Sequence, residues 1–283
     1  MTILITGATG NVGRPLTSLL KDTGAHVRAV TRNAHAALPP GVETTPSVRA
    51  ALDGVSAVFL NSRALGPDLT WLVDALKGTK TKLVALSAMN VDEDFSRQPS
   101  RLRGDRNKEV EQLAVESGLP WVSLRPALFA TNFIGMWAGQ LQAGDVVAGP
   151  YAQAASAPIV ESDIAAVAAQ ALLTDELVGQ KVPLTGPRSH TNAELLAIIG
   201  KVLGRDLHYQ EIPVDLVRKR FEAIGFPAEF GTAYTALLAE TVHTPAAVTD
   251  GVQRILGRPA QPFADWVSRH RAAFTPALEN THV

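Results

Sequence analysis

The stretch Gly7-Ala8-Thr9-Gly10-Asn11-Val12-Gly13 limits what this chain can fold into more than any other. It stands between a short β-rich run, Thr2 to Thr6, and a segment in which Val12, Leu16, Leu19 and Leu20 recur at helical spacing. Gly24 closes that helix, and His26 to Thr31 reads as a second strand, which completes a βαβ unit. Glycines in such a turn allow a tight bend, close approach of the backbone to a pyrophosphate, and close packing of helix on strand. The helix N-terminus adds unpaired N–H groups and a positive dipole end. The spacing is Gly-x-x-Gly-x-x-Gly, not the Gly-x-Gly-x-x-Gly of dehydrogenase domains, but its placement is that of an NADP(H)- or NAD(H)-binding turn. A glycine turn without a ligand is the other reading.

The alternation continues beyond this unit. Ala57 to Asn61, Lys82 to Ser87 and Trp121 to Pro126 are candidate buried strands separated by helical stretches. Asn107 to Ser117 carries Val110, Leu113 and Ala114 on one face and stops at Gly118-Leu119-Pro120. Ala157 to Val160 reads as a strand, followed by a helix from Ser162 to Leu173 with Ser162 or Asp163 as its cap. Lys181 to Thr185 and Leu207 to Ile212 read as strands, and between them Thr191 and Glu194 fit a capping box. From Val214 the chain is mostly helical, broken at Pro227, Pro245 and Pro259. These features predict an α/β fold: a Rossmann-type doubly wound parallel sheet with a smaller, mainly helical C-terminal lobe. The expected core spans 1–150, with 155–187 returning to it, and the substrate lobe 188–283.

Composition removes several other functions. With 46% hydrophobic and 19% charged residues, the chain is an ordinary globular one. A net charge of -1 offers no general attraction to nucleic acid or anionic lipid. The absence of cysteine excludes disulfides, thiolate metal sites and a cysteine nucleophile together. The seven histidines show no ligand spacing, so no metal site is expected. Without a signal-type start or a long apolar run, a cytoplasmic monomer or homodimer acting on a small molecule is expected.

The end of the second strand decides between nucleotides, since a carboxylate there binds a ribose 2′-hydroxyl and an arginine accommodates a 2′-phosphate. The sequence is Val30-Thr31-Arg32-Asn33, with no acid. Thr31 and Arg32 therefore favour NADP(H) over NAD(H), through a bidentate contact of the guanidinium. An exposed loop arginine is the alternative.

Ile5-Thr6-Gly7-Ala8-Thr9-Gly10-Asn11-Val12-Gly13-Arg14, with Leu52-Asp53-Gly54-Val55-Ser56-Ala57-Val58-Phe59 and Leu124-Arg125-Pro126, resembles the NmrA-like atypical short-chain dehydrogenase/reductases over most of residues 1–210. The resemblance implies a Rossmann core and a smaller substrate lobe, as in quinone, dye and iminium reductases. It also covers redox-sensing regulators that bind the nucleotide without turnover. Two departures stand out. The family's third strand ends in Gly-Asp, whose aspartate contacts adenine, whereas Gly41-Val42-Glu43-Thr44-Thr45-Pro46 predicts a short or missing strand. The wider superfamily carries a Tyr-x-x-x-Lys pair; Lys108 matches its lysine, but Gly104 stands at the tyrosine.

An isolated ketone needs an acid for the developing alkoxide. Acceptors that spread or cancel charge, such as quinones, enones, cationic dyes and iminium ions, need it less. The expected function is thus an NADPH-dependent reductase of a conjugated or cationic molecule; a regulator without turnover is the rival, and a sugar-nucleotide epimerase a third reading that Gly104 opposes. The resemblance implies that Lys108 holds the nicotinamide ribose, although an exposed lysine beside Glu111 would look the same. Ser87 and Ala88, ending a strand, are expected at the nicotinamide or substrate, and Asn61, Ser62 and Arg63 beside the cofactor. The stretch after the sixth strand resembles the family segment that lines nicotinamide and substrate, which implies Pro126, Ala127 and Leu128 against nicotinamide and Phe129, Asn132, Phe133 and Trp137 against substrate. The aromatic spacing suits a core stripe equally well. Among Tyr151, Tyr209 and Tyr234, Tyr234 is the candidate to replace the absent acid.

Overall fold

The computed structural model describes residues 1–31, 33 and 35–275. Strands β1 (Thr2–Thr6), β2 (His26–Val30), β3 (Glu43–Thr45), β4 (Val55–Leu60), β5 (Lys82–Leu86) and β6 (Trp121–Pro126) form the N-terminal part of the chain. They are followed by β7 (Val146–Gly149), β8 (Ala155–Ser156), β9 (Lys181–Leu184), β10 (His190–Thr191) and β11 (His208–Glu211). The main sheet is parallel and seven-stranded, in the order β3-β2-β1-β4-β5-β6-β9. Strand order reverses between β1 and β4, which opens the ligand crevice of a doubly wound fold beyond the strands' carboxyl ends.

The helices are α1 (Gly13–Asp22), α2 (Ser62–Leu65), α3 (Asp68–Leu76), α4 (Asn107–Glu116), α5 (Gly139–Ala143), α6 (Glu161–Leu173) and α7 (Asn192–Leu203). Beyond them lie α8 (Val214–Ala223), α9 (Ala228–Ala239), α10 (Gly251–Leu256), α11 (Phe263–Arg269) and α12 (Arg271–Phe274). Successive strand residues point to opposite faces. Ile3, Ile5, Ala57, Phe59 and Val84 pack on α1 and α6, while Leu4, Val58, Leu60, Leu83 and Ala85 pack on α3 and α4. Both faces of the sheet are thereby covered.

A third core joins Phe133, Trp137, Leu141 and Val147 to Leu195, Ile199, Trp266 and Phe274. Strand β7 leaves the main sheet to pair in parallel with β11. The lobe therefore draws on 130–149 as well as on the C-terminal helices. The third strand is short but present, pairing with β2 over Glu43 to Thr45. Ala157 to Val160 is not a regular strand: Ile159 alone bridges Phe129, and Pro158 can donate no ladder hydrogen bond. Helix α6 starts at Glu161 after an extended Val160, so neither Ser162 nor Asp163 is its cap. Their side chains instead meet the far end of the chain, with Asp163 accepting from Gln261 and pairing with Arg258 at 2.8 Å.

Candidate active site

The glycine turn is built from two different needs. Gly7 has φ 74°, a left-handed conformation that favours glycine, and its carbonyl accepts from the Gly10 N–H at 3.0 Å. A Cβ at Gly13 would overlap that same carbonyl, so only glycine lets α1 begin here. Gly10 differs. Its backbone is not left-handed, and a Cβ there would meet only the Gly7 oxygen at 3.3 Å. The chain's own packing therefore leaves bare backbone at Gly10 facing outward. The N–H groups of Asn11, Val12 and Gly13 find no acceptor among the described residues. Free amides, bare backbone and the α1 N-terminus together fit a pyrophosphate.

The carboxyl ends of β1 and β4 are tied by Thr6, whose hydroxyl donates to Phe59 O at 2.7 Å and accepts from Asn61 N at 2.8 Å. Asn61 caps α2 by accepting from Ala64 N, and its amide lies 3.0 Å from where a Gly7 Cβ would be. Ser62 is buried and accepts from Arg106 N at 2.9 Å. Arg63 pairs with Asp105 at 3.4 Å and donates to Arg103 O. Burial pushes the Asp105 carboxyl up, against the pull of Arg63, Arg103 and Arg106.

Past β5, the buried Ser87 donates to Asn107 O at 3.1 Å, so the start of α4 is held at the strand's end. The next residue, Lys108, is half-buried with its Nζ 5.4 Å from the Phe95 ring centroid. Glu111 is not its partner: that carboxylate is buried against Arg125, Ser123 and Lys181. Gly104 ends a 3-10 helix with φ 94°. A tyrosine there would sit in strained left-handed backbone. We expect Gly104→Tyr to cost about 1–2 kcal/mol in urea unfolding and to confer no reduction of a simple ketone when NADPH loss is followed at 340 nm.

Beyond β6, Pro126 O accepts from Met89 N, Ala127 N donates to Leu184 O, and Leu128 O accepts from Ile159 N. These bonds fix the segment at the carboxyl end of β6, between the ends of β5 and β9. Ala88 lies just past β5, beside it. Phe129 packs toward the main core. A link missed by sequence reasoning joins this segment to the glycine turn: Asn11 donates to Thr131 Oγ1 at 3.2 Å, and Thr131 donates twice to buried Glu161, at 2.8 and 2.6 Å. An acid in the first turn of a helix reads as a dipole partner, so nothing in the sequence pointed 30 residues back from Glu161 to Thr131.

The structure thus gathers Gly7 to Gly13, Asn61, Ser62, Ser87, the start of α4 and Pro126 to Leu128 at neighbouring strand ends. Thr31 lies at the end of β2, with its hydroxyl turned to Asn33; Arg32 lies outside the described residues. Asn132 is half-buried in the turn after Phe129. Phe133 and Trp137 are buried in the lobe core, edge to face at 4.7 Å, Trp137 within the π-helical turn Ile134–Ala138. Tyr234 directs its hydroxyl to Met136 Sδ at 3.6 Å, and burial raises its pKa to about 12. Tyr209 donates to Pro150 O at 2.8 Å. Helix α9 packs over the 3-10 turns Phe95–Arg97 and Pro99–Arg103, and Arg97 pairs with Glu240 at 2.8 Å. The lobe therefore covers the loops that follow β5.

The chain matches the model of the NmrA-like family over residues 1–247. It belongs to the NmrA-like family. Among NmrA-like and related proteins, it is 36% identical to (4-alkanoyl-5-oxo-2,5-dihydrofuran-3-yl)methyl phosphate reductase of Streptomyces griseus, across 97% of this chain and 99% of that protein. It is 30% identical to the NAD(P)H azoreductase of Xenophilus azovorans, across 97% and 100%. Its fold is similar to that of the NADPH-dependent quinone oxidoreductase of Escherichia coli solved with NADPH, with a TM-score of 0.79, 21% identity, and coverage of 96% and 100%. This NmrA-like chain is an NAD(P)H-dependent reductase of the atypical short-chain dehydrogenase/reductase type. Among the described residues, no acidic or histidine cluster could hold a metal, and no helix is long and apolar enough to cross a membrane.

Proposed function

We propose that this enzyme transfers hydride from NADPH to a small acceptor whose double bond is conjugated or cationic, such as a quinone, enone or iminium ion. The observation that carries this is Gly104: the position of the superfamily's acid is a glycine in left-handed backbone. A bound nicotinamide supplies the hydride, and the protein supplies orientation and exclusion of water. Lys108 and Ser87 hold the ribose and carboxamide side, with Asn61 to Arg63 and the glycine turn along the rest of the dinucleotide. Pro126 to Phe129 and Asn132 border the reacting face, and the C-terminal lobe, with Tyr234 above Met136, closes it. Phe133 and Trp137 support that wall from within the lobe core.

The names of the relatives support this acceptor class. The Streptomyces griseus substrate, as named, carries a ring alkene conjugated to two carbonyl groups, an acyl and a lactone carbonyl on the same alkene carbon, and the Xenophilus azovorans enzyme is named for azo compounds. Neither acceptor develops an isolated alkoxide. The reading is tested by following NADPH oxidation with a panel of quinones, enones, iminium ions and simple ketones. Turnover of the first three and not the last is expected; tight NADPH binding with no turnover across the panel would favour a nucleotide-sensing regulator instead.

NADP(H) is the preferred nucleotide in this reading, because Arg32 follows Thr31 where an acid would select NAD(H). Arg32→Glu is expected to lower the NADPH-over-NADH ratio of kcat/KM about 100-fold or more, two charge-assisted contacts being replaced by repulsion. An unchanged ratio would remove Arg32 from the account. The enzyme is proposed to act in the cytoplasm, as a monomer or homodimer, on a small molecule.

A further inference from the structure

Arg14 follows the last glycine of the turn and lies in the first turn of α1. Its guanidinium spans two loops that are far apart in sequence. Nη2 donates to Thr9 O, in the glycine turn, and Nη1 to Ala37 O, in the segment after β2, both at 3.4 Å. These are long bonds to neutral carbonyls, at the outer edge of useful geometry. No carboxylate pairs with Arg14 among the described residues, and no acid occurs in the sequence between Asp22 and Glu43. Glu43 itself is taken by Arg28 at 2.8 Å. The first turn of α1 contains no acid either, and a cation there faces the positive end of the helix dipole. The protein thus holds an exposed, uncompensated positive charge in a place its own electrostatics disfavour.

That place lies on the path of the adenosine half of a dinucleotide. With pyrophosphate at the α1 N-terminus and the ribose 2′ position at the end of β2, the ribose must pass between the glycine turn and the loop after β2. The guanidinium of Arg14 bridges those two segments. We propose that Arg14 is a second cation for the 2′-phosphate of NADP(H), gripping it from the α1 side, in addition to the Arg32 of the NADP(H) reading. A dianion supplies the charge compensation that the chain withholds, and it takes stronger bonds than the two carbonyls now receiving the guanidinium. This proposal rests on the NADP(H) reading above and adds a residue outside the β2 end, where selectivity is ordinarily decided.

The test uses two fragments that differ only in the 2′-phosphate, adenosine 2′,5′-bisphosphate and 5′-AMP, titrated calorimetrically against the whole protein. Wild type should bind the bisphosphate more tightly. Arg14→Gln should weaken the bisphosphate about 10–100-fold, the loss of a charge-assisted contact, and leave 5′-AMP within about twofold. Arg14→Lys, which keeps the charge, should retain most of the preference. Should Arg14→Gln weaken both fragments equally, the arginine is only a tether between loops and the proposal fails. Wild-type discrimination retained in Arg14→Gln also overturns it, while leaving the NADP(H) reading standing. A wild type that binds both fragments alike overturns both.

Discussion

Gly13→Ala is expected to lose about 3 kcal/mol of stability and all measurable NADPH binding, whereas Gly10→Ala keeps the fold and loses affinity alone. The difference follows from what a methyl group would meet. At Gly13 it collides with the Gly7 carbonyl and the Ala8 backbone, which cannot yield without unseating α1 from β1. Overpacking against side chains typically costs about 1–3 kcal/mol, and backbone against backbone belongs at the upper end. At Gly10 the single neighbour is the Gly7 oxygen at 3.3 Å, which needs to give by only tenths of an ångström. That methyl instead stands where the pyrophosphate approaches the free N–H groups. Thermal unfolding should place Gly10→Ala close to wild type and Gly13→Ala far below it. Quenching of tryptophan fluorescence by NADPH should weaken about 30-fold in Gly10→Ala, equivalent to one lost charge-assisted hydrogen bond. A Gly10→Ala variant with wild-type affinity would mean that no ligand approaches that backbone.

Glu111→Gln should be the most damaging substitution outside the glycine turn. The buried carboxylate accepts from Ser123 Oγ at 2.6 Å and Arg125 Nε at 2.8 Å, and pairs with Lys181 at 3.0 Å. Arg125 reaches on to Asp92 at 2.7 Å. Burial works to raise the Glu111 pKa, but the bonds from Arg125, Ser123 and Lys181 outweigh it and hold the carboxyl at about 2. Removing one member leaves the Arg125 charge largely enclosed, and breaking a buried pair costs about 3–5 kcal/mol, a large share of the total stability of a typical domain. The folded pKa lies below the unfolded one, so ionised Glu111 stabilises the fold above about pH 4.5. That contribution fades as pH falls toward 2. Urea unfolding from pH 7 to pH 3 should show wild-type stability falling toward that of Glu111→Gln, with the gap between them narrowing. A constant gap would show that ionisation of Glu111 does not support the fold. Because α4 carries Lys108 and the Asn107 carbonyl that receives Ser87, the variant should also turn over more slowly at temperatures where it remains folded.

Much of the sheet was legible because its strands are buried on both faces and bounded by glycine or proline. Thr2 to Thr6 and Trp121 to Pro126 end where the sequence places them, and Thr191 with Glu194 forms the expected capping box, with both reciprocal bonds present. Strand β7 was not legible. Val146 to Gly149 has no polar-apolar alternation in its sequence, and it becomes a strand only by pairing with β11, about sixty residues away. Ala157 to Val160 misled for the opposite reason: four buried residues imitate a strand, but Pro158 and the turn into α6 leave only Ile159 to pair. At the site, the glycine turn and the residues after β4, β5 and β6 could be read from topology alone, since parallel strands bring their carboxyl ends together. The ties that tune them could not. Asn11 to Thr131 to Glu161, Ser62 to Arg106, and Arg14 to Ala37 are contacts between segments whose separation carries no periodic signal.

The central claim, hydride transfer from NADPH to a conjugated or cationic acceptor, is tested most directly with NADPH deuterated at nicotinamide C4. After incubation of the enzyme with each C4 epimer and an enone, mass spectrometry and NMR should find one deuterium at the β-carbon of the product, from one epimer only. Oxidation of NADPH with no deuterium in the product from either epimer, or no oxidation with any quinone, enone or iminium acceptor, would contradict it.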